Sequence, residues 1–428
     1  MGPASGSSSM VDVSEMWAHR ADLAEAAITE RHASSLWGLP RTNLAVVAWP
    51  PTPREKSFVV WHYWWQAHYL DCQVDAERRQ STKARRASIV RTVRGIRVRN
   101  RRSLATNRYY DDKAWLALAM ARIGKDEPEA DKKKGEKTGF FTKLAGKLPK
   151  KLQVKPIKRK RRTRPRPLED LEFNILAGLD SFTGVLPWRT NENFFNVPAN
   201  GPAAIMMART GHLDEARAVM AWIFDNVMAD NGLVQDGIRL HADGPKTTET
   251  IYSYNQGTVL GAALEIAIAL EDEPDEQMFY IAHIRDLVNA VATHMTTRTG
   301  VIENRKDCGP EHGGDGALFQ GILARYLADV AVRLPDDTAA GRATKKLAAR
   351  LVMTSAAAMW NNRLEVDGLP IFPARWASGA RLPHNYGFGG GSQISSAPKI
   401  AERDLSVQLS GWMLLEAAAR LAQTGHTR

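Results

Sequence analysis

PAAIMMARTGHLDEARAVMAWIFDNVM, residues Pro202–Met228, reads as two helices and the corner that joins them. Apolar residues recur at helical spacing in both halves. Gly211 supplies the stop, and Asp214 and Glu215 place negative charge on the first turn of the second helix, where the backbone N–H groups favour it. The same signature recurs outward in both directions. Met10–Trp37 carries Trp17, Ala21, Ala24 and Ile28 on one face, and Phe58–Arg79 carries Trp61, Trp65, His68 and Cys72. Ser81–Arg99, Asp112–Ile123, Gln256–Leu270, Asp275–Thr296, Ala317–Arg333, Asp336–Trp360 and Asp404–Leu421 bring the expectation to about eleven helices, mostly paired through short polar loops. No βαβ alternation interrupts them, so the fold class is all-α.

Helical pairs build either an α-solenoid or a closed toroid of inner and outer helices. A solenoid needs a pattern that returns at a fixed period, and none is present. The loops are also unequal. Gly178–Pro198, Asn231–Tyr254, Thr297–Gly316 and Asp367–Arg403 are long and rich in Gly, Asn, Asp and aromatics, as suits a rim that builds a site on one side of a toroid. The expected organisation is one catalytic domain over 10–428, preceded by a tail at 1–9 and interrupted by a disordered basic insertion at 125–170.

That insertion accounts for the charge. The chain has 58 Lys and Arg against 47 Asp and Glu, a net charge of +11. Lys132–Arg166 alone holds 16 basic residues and one acidic residue, Glu136, so the remainder is slightly acidic. Within it, Phe140, Phe141, Leu144 and Leu148 alternate with lysines in a basic amphipathic pattern suited to an anionic lipid surface, whereas no stacking aromatic ladder marks it for nucleic acid. Two cysteines, Cys72 and Cys308, make no disulfide framework. No apolar run is long enough to span a membrane, and residues 1–9 lack the regions of a secretory signal. The expected location is cytoplasmic or peripheral to a membrane, with a leader upstream left open.

The sharpest chemical feature is Tyr109-Tyr110-Asp111-Asp112, ahead of the apolar run LALAMA. Adjacent residues inside a helix diverge by about 100°, but at a helix start both carboxyls can converge. The helix N-terminus favours one ionised carboxylate, and mutual repulsion raises the pKa of the other. One anion beside one acid is what glycoside cleavage requires. An acidic capping pair without chemistry has the same local sequence.

Six segments in order resemble glycoside hydrolase family 76, the endo-α-1,6-mannanases: WWQAHYLDCQVDA (Trp64–Ala76), YYDDKAWLALA (Tyr109–Ala119), NVPANGPAAIMMART (Asn196–Thr210), GLVQDGI (Gly232–Ile238), YSYNQGTVLGAALE (Tyr252–Glu265) and LFQGILARYLADV (Leu318–Val330). The resemblance implies an (α/α)6 toroid and a retaining mechanism, with Asp111 as nucleophile and Asp112 as acid/base. Tyr110, Asn200, Asp236, Tyr254, Asn255 and Gln256 are expected to contact the sugar, with Trp188 and Trp376 stacking at the rim beside Tyr386. Asp236 before Gly237 also reads as a turn, and Asn255 as a helix cap. The expected substrate is α-1,6-mannan or its oligosaccharides, in a narrower form the lipomannan backbone of actinobacterial envelopes. No cofactor is expected. The loop Cys308–Asp315 holds candidate metal ligands without metal-site spacing, and is read as rim. The basic insertion replaces the short connection that follows the catalytic helix in the family. A transglycosidase and a non-catalytic mannan-binding protein share these features, while a sugar epimerase or unsaturated-uronide hydrolase on this toroid would call for histidine bases that the rim lacks.

Overall fold

The computed structural model describes residues 6–123, 166–304, 313–383 and 400–426, with the side chains of 6–12 and 166–167 excepted. Twelve long helices run through these residues: α1 (Gly6–Arg31), α2 (Tyr63–Arg79), α3 (Lys83–Arg99), α4 (Tyr110–Arg122), α5 (Arg166–Leu176), α6 (Val197–Thr210), α7 (Leu213–Asn226), α8 (Ser253–Ala269), α9 (Pro274–His294), α10 (Gly316–Arg333), α11 (Ala339–Asn361) and α12 (Leu405–Gln423). The even-numbered helices form a ring. α2 packs on α4, α4 on α6, α6 on α8, α8 on α10 and α10 on α12, and α12 closes onto α2. Each odd-numbered helix lies outside, with α3, α5, α7, α9 and α11 against the helix before them and α1 against α12. This is the (α/α)6 toroid.

The sequence explains which helices line the inside. A helix surrounded on every side must be apolar all round. In α8 every residue from Ser253 to Ala267 is buried, and α12 is buried almost throughout, whereas outer α7 buries only one stripe of Ala216, Val219, Met220 and Ile223. Small residues set the spacing between inner helices: a Cβ added at Gly257 of α8 would lie 2.9 Å from the Cα of Leu323 in α10. The α6–α7 corner turns as the sequence indicates, on Gly211 at φ 92°.

Three elements differ from the sequence reading. α5 falls at the end of the stretch assigned to the insertion; LEDLEFNIL places Leu168, Leu171 and Ile175 on one buried face, a pattern hidden by the basic run before it. α6 begins at Val197 rather than Pro202, capped by Asn196, whose side chain accepts from the Ala199 amide at 3.3 Å. The loop at 231–254 contains a hairpin, β4 (Gly237–His241) with β5 (Gly244–Thr248), which extends antiparallel from β3 (Phe194–Asn196). Two further short antiparallel pairs join β1 (Ala33–Ser34) to β2 (Leu44–Ala45) and β6 (Leu364–Val366) to β7 (Leu369–Ile371). The basic stretch up to residue 165, the Cys308 and His312 part of the rim loop, and Tyr386 lie outside the described residues. Among the described residues no helix is long and apolar enough to cross a membrane.

The six inner helices run parallel, so one mouth of the toroid gathers their N-termini and the other their C-termini. At the C-terminal mouth the carbonyl ends favour cations, and arginines from the inner helices line it around a cavity of about 410 Å³. Arg122 of α4 and Arg325 of α10 share Asp71 and Asp75 of α2. Arg209 and Arg333 hold Glu265, Arg79 holds Glu416, and Arg420 holds Asp329. These arginines keep the Asp329 carboxyl well below the ordinary range despite its burial. The network ties α2, α4, α6, α8, α10 and α12 together at the end opposite the N-terminal cleft.

Candidate active site

The N-terminal mouth is open. A cleft of about 790 Å³ enters it, lined by the first turns of α2, α4, α6, α8 and α10 and by β3. Positive helix ends thus surround a cavity that contains Asp111, Asp112, Asp236 and Asp315.

Asp111 and Asp112 sit two and three residues beyond the cap. Tyr109 is the N-cap residue, with extended backbone, and both aspartates occupy the first turn of α4. They nevertheless both face the cleft, through different anchors. Asp111 Oδ1 accepts from the backbone N–H of Asp112 at 2.9 Å, and its Oδ2 accepts from the Trp188 indole at 3.1 Å. Asp112 Oδ2 accepts from the Asn107 amide at 2.7 Å, and the Asn107 carbonyl oxygen in turn accepts from the Tyr109 N–H at 3.0 Å. Burial raises the Asp111 carboxyl to about 6, opposed by those two donors. Asp112 rises further, well above the ordinary range, through burial and then the repulsion of Asp111, with only the Asn107 side chain opposing. Both carboxyls thus hold a proton more tightly than an ordinary carboxyl, Asp112 the more so, because one donor opposes its burial where two oppose that of Asp111.

Asp236 is not a turn residue. The hairpin pins its backbone on both sides, its N–H on Thr248 O at 3.2 Å and its carbonyl on the Val197 N–H at 2.8 Å, so the side chain projects into the cleft. There it accepts from the Asn255 amide at 3.2 Å, and burial, with Asp111 nearby, raises it to about 6. Asp315, at the start of α10, takes the indole N–H groups of Trp64 and Trp65 on one oxygen at 3.1 and 2.9 Å. Aromatics form the walls. Tyr254 stacks on Phe319 with ring centroids 4.1 Å apart, Trp188 meets Tyr109 edge-on at 5.1 Å, and Trp64 and Trp115 complete the lining.

The structure thus brings Asp111, Asp112, Asp236, Tyr254 and Trp188 together at the cleft, and places the other expected contacts elsewhere. Tyr110 packs away from the cleft beneath the Lys113 ammonium, 3.9 Å from its ring. Asn200 is fully buried and clamps the preceding loop, donating to Leu186 O and accepting from Leu186 N–H, both at 2.8 Å. Gln256 does the same for Val234, at 2.7 and 2.8 Å. Because α8 starts at Ser253, Asn255 lies inside the first turn, buried beneath Asp236 rather than capping. Trp376 is 1% exposed, turned inward because its loop folds back over the start of α12, where Gln408 bridges both backbone groups of Phe372. The sequence reading placed Asp315 only within a rim loop and did not single out Trp64 or Phe319 as cleft residues. Their lone local signal was position, just inside helix starts. Among the described residues no group of three or more metal-ligating side chains occurs.

The family model described as Glycosyl hydrolase family 76 matches residues 180–397, just over half of the sequence. The chain belongs to glycosyl hydrolase family 76. The matched stretch contains Trp188, Asp236, Tyr254 and Asp315 of the family 76 cleft and begins beyond the Asp111–Asp112 pair. Solved structures carry the likeness across the whole chain. An α-1,6-mannanase of Salegentibacter sp. HEL1_6, an inactive variant with two consecutive aspartates changed to asparagine and α-1,6-mannotriose bound, is 23% identical; the match covers 94% of this chain and 99% of that one, with TM-score 0.67. A Listeria innocua protein is 22% identical over 95% and 98% of the two chains, with TM-score 0.68. A family 76 mannosidase of Bacteroides thetaiotaomicron VPI-5482 is 15% identical over 96% and 100%, with TM-score 0.65. At these identities the likeness is one of fold. No curated protein shows a significant sequence match.

Proposed function

We propose that this family 76 glycoside hydrolase is an endo-acting, retaining α-1,6-mannanase in which Asp111 attacks the anomeric carbon and Asp112 protonates the departing oxygen, then activates water. The observation that carries the reading is the unequal pair at the head of α4: two adjacent carboxyls in one cleft, Asp111 held by two hydrogen-bond donors and Asp112 by one, with Asp112 the more strongly raised. The inactive Salegentibacter variant supports it, since consecutive aspartates were changed there and α-1,6-mannotriose was still bound. The open groove, with aromatic walls and polar groups at its floor, suits an oligosaccharide that passes through rather than ends in a pocket. Asp236 and Tyr254 are proposed to hold sugar hydroxyls beside Asp111, and Trp188 to hold Asp111 in its attacking orientation.

Linear α-1,6-mannan incubated with the enzyme should yield a ladder of oligosaccharides whose reducing ends are first released as the α-anomer, read by proton NMR before mutarotation. First release of the β-anomer, or no cleavage, overturns the reading. An added sugar acceptor distinguishes hydrolysis from transglycosylation in the same assay.

The strongly basic stretch Lys132–Arg166 supports a narrower proposal, that the mannan substrate is carried on an anionic lipid, as in lipomannan. Deleting it should abolish salt-sensitive binding to vesicles containing anionic phospholipid and leave hydrolysis of soluble oligomannosides unchanged. Vesicle binding that survives the deletion contradicts this.

A further inference from the structure

One corner of the rim has a construction that chemistry at the aspartate pair does not use. Trp37 is 57% exposed and holds left-handed backbone at φ 51°. Phe58 and His62, in the segment leading into α2, are left-handed as well, at φ 54° and 42°. Bulky residues adopt this conformation only where the surroundings enforce it, and such strain concentrates at binding sites. Here the enforcement is visible. The Trp37 indole N–H donates to Ser57 O at 2.7 Å, and Arg99, at the end of α3, donates to Phe58 O at 2.9 Å. The Arg99 guanidinium lies 5.9 Å from the Trp37 ring and 5.0 Å from the Trp61 ring. Trp61 in turn meets Tyr63 edge-on at 5.6 Å, and Tyr63 lines the cleft.

An exposed, fixed indole is thereby joined to the cleft by an unbroken row, Trp37–Arg99–Trp61–Tyr63. We propose that this row is an outer binding track on which the mannan chain continues after it leaves the cleft, with Trp37 stacking on a pyranose ring and Arg99 donating to its hydroxyls. A sugar's C–H face packs on an aromatic face, and a ring already held in place loses little freedom on binding. Continuity with the cleft selects the occupant: the row ends on Tyr63, a largely buried ring at the edge of the cleft. The proposal rests on the mannan reading above.

The test compares wild type, Trp37→Ala and Trp37→Tyr on long linear α-1,6-mannan and on α-1,6-mannotetraose, which is too short to fill both cleft and track. Trp37→Ala should raise KM for the polymer by roughly three- to tenfold, the loss of one stacking contact. Its kcat, and both constants for the tetraose, should stay at wild-type values, and Trp37→Tyr should recover most of the polymer KM. Equal change on both substrates, or none on either, overturns the track. A second arm measures polymer affinity of the Asp111→Asn/Asp112→Asn double variant with and without Trp37→Ala, where unchanged affinity also overturns it. Failure of the enzyme to cut either substrate would instead count against the mannanase reading, leaving the binding arm to decide the track.

Discussion

Asp111→Asn and Asp112→Asn are each expected to lower kcat by roughly 10³-fold or more on α-1,6-mannan while leaving the toroid folded, because members of a cooperating catalytic pair lose activity as a unit. Folding should not suffer, and the sign follows from the pKa shifts. Asp111 and Asp112 both hold their protons more tightly in the folded chain than an ordinary carboxyl does. Keeping either carboxyl in the folded chain therefore costs stability at neutral pH, whether it ionises there or must take up a proton, and for Asp111 that cost is relieved as pH falls below about 6 toward the ordinary carboxyl range. An uncharged asparagine removes that cost, so at pH 7 to 8 the Tm of either variant should equal or exceed that of wild type. The same shifts shape the activity profile. In wild type, kcat/KM should fall on the acid side as the pair takes its second proton near pH 6, and on the alkaline side as it loses its last; both limbs belong to the coupled pair. Unchanged activity in both variants would leave the pair as a charged helix start only.

Arg325→Met should have the largest effect on stability. Arg325 and Arg122 stand between Asp71 and Asp75, with all four side chains at least four-fifths shielded from water. Burial keeps Asp75 above the ordinary carboxyl range even between two guanidiniums. Removing one arginine leaves two carboxylates against a single cation, and breaking a buried pair from one side typically costs about 3–5 kcal/mol. Thermal denaturation should show a fall of several degrees in Tm, and replacing Asp71 and Asp75 by asparagine in the same chain should restore part of it. The α4 helix of 13 residues, roughly 20 Å long, separates this network from the cleft. Activity per folded molecule should therefore be unchanged; a kcat loss with no loss of stability would mean that the two ends communicate.

How much of this could be read from sequence depends on whether a residue's surroundings are local. The alternation of apolar stripes and stops such as Gly211 is local, and so the helices and their pairing were legible. So was the position of the Asp111–Asp112 pair at a helix start, ahead of LALAMA, where both side chains meet the cleft. Residues that act across the ring were not. Asp315 receives two indoles from residues some 250 positions earlier, and only the closure of the ring through α12 brings the starts of α2 and α10 to the same mouth. The converse error has the same origin. Asn200, Gln256 and Trp376 have side chains suited to sugars, and each is consumed by packing or by a backbone clamp within its own fold. A buried amide must be satisfied, and Asn200 and Gln256 are spent on that as readily as on substrate. The hairpin that delivers Asp236 was invisible for a further reason: its strands are short, exposed on one side, and carry little alternation to see.

Azide rescue tests the assignment of the two aspartates most directly. With an aryl α-1,6-mannobioside bearing a good leaving group, Asp111→Gly in azide should give the β-mannosyl azide, because azide enters the face that the nucleophile vacated. Asp112→Gly should give the α-mannosyl azide, formed when azide opens the intermediate carried by Asp111. The exchanged configurations would contradict the account by making Asp112 the nucleophile.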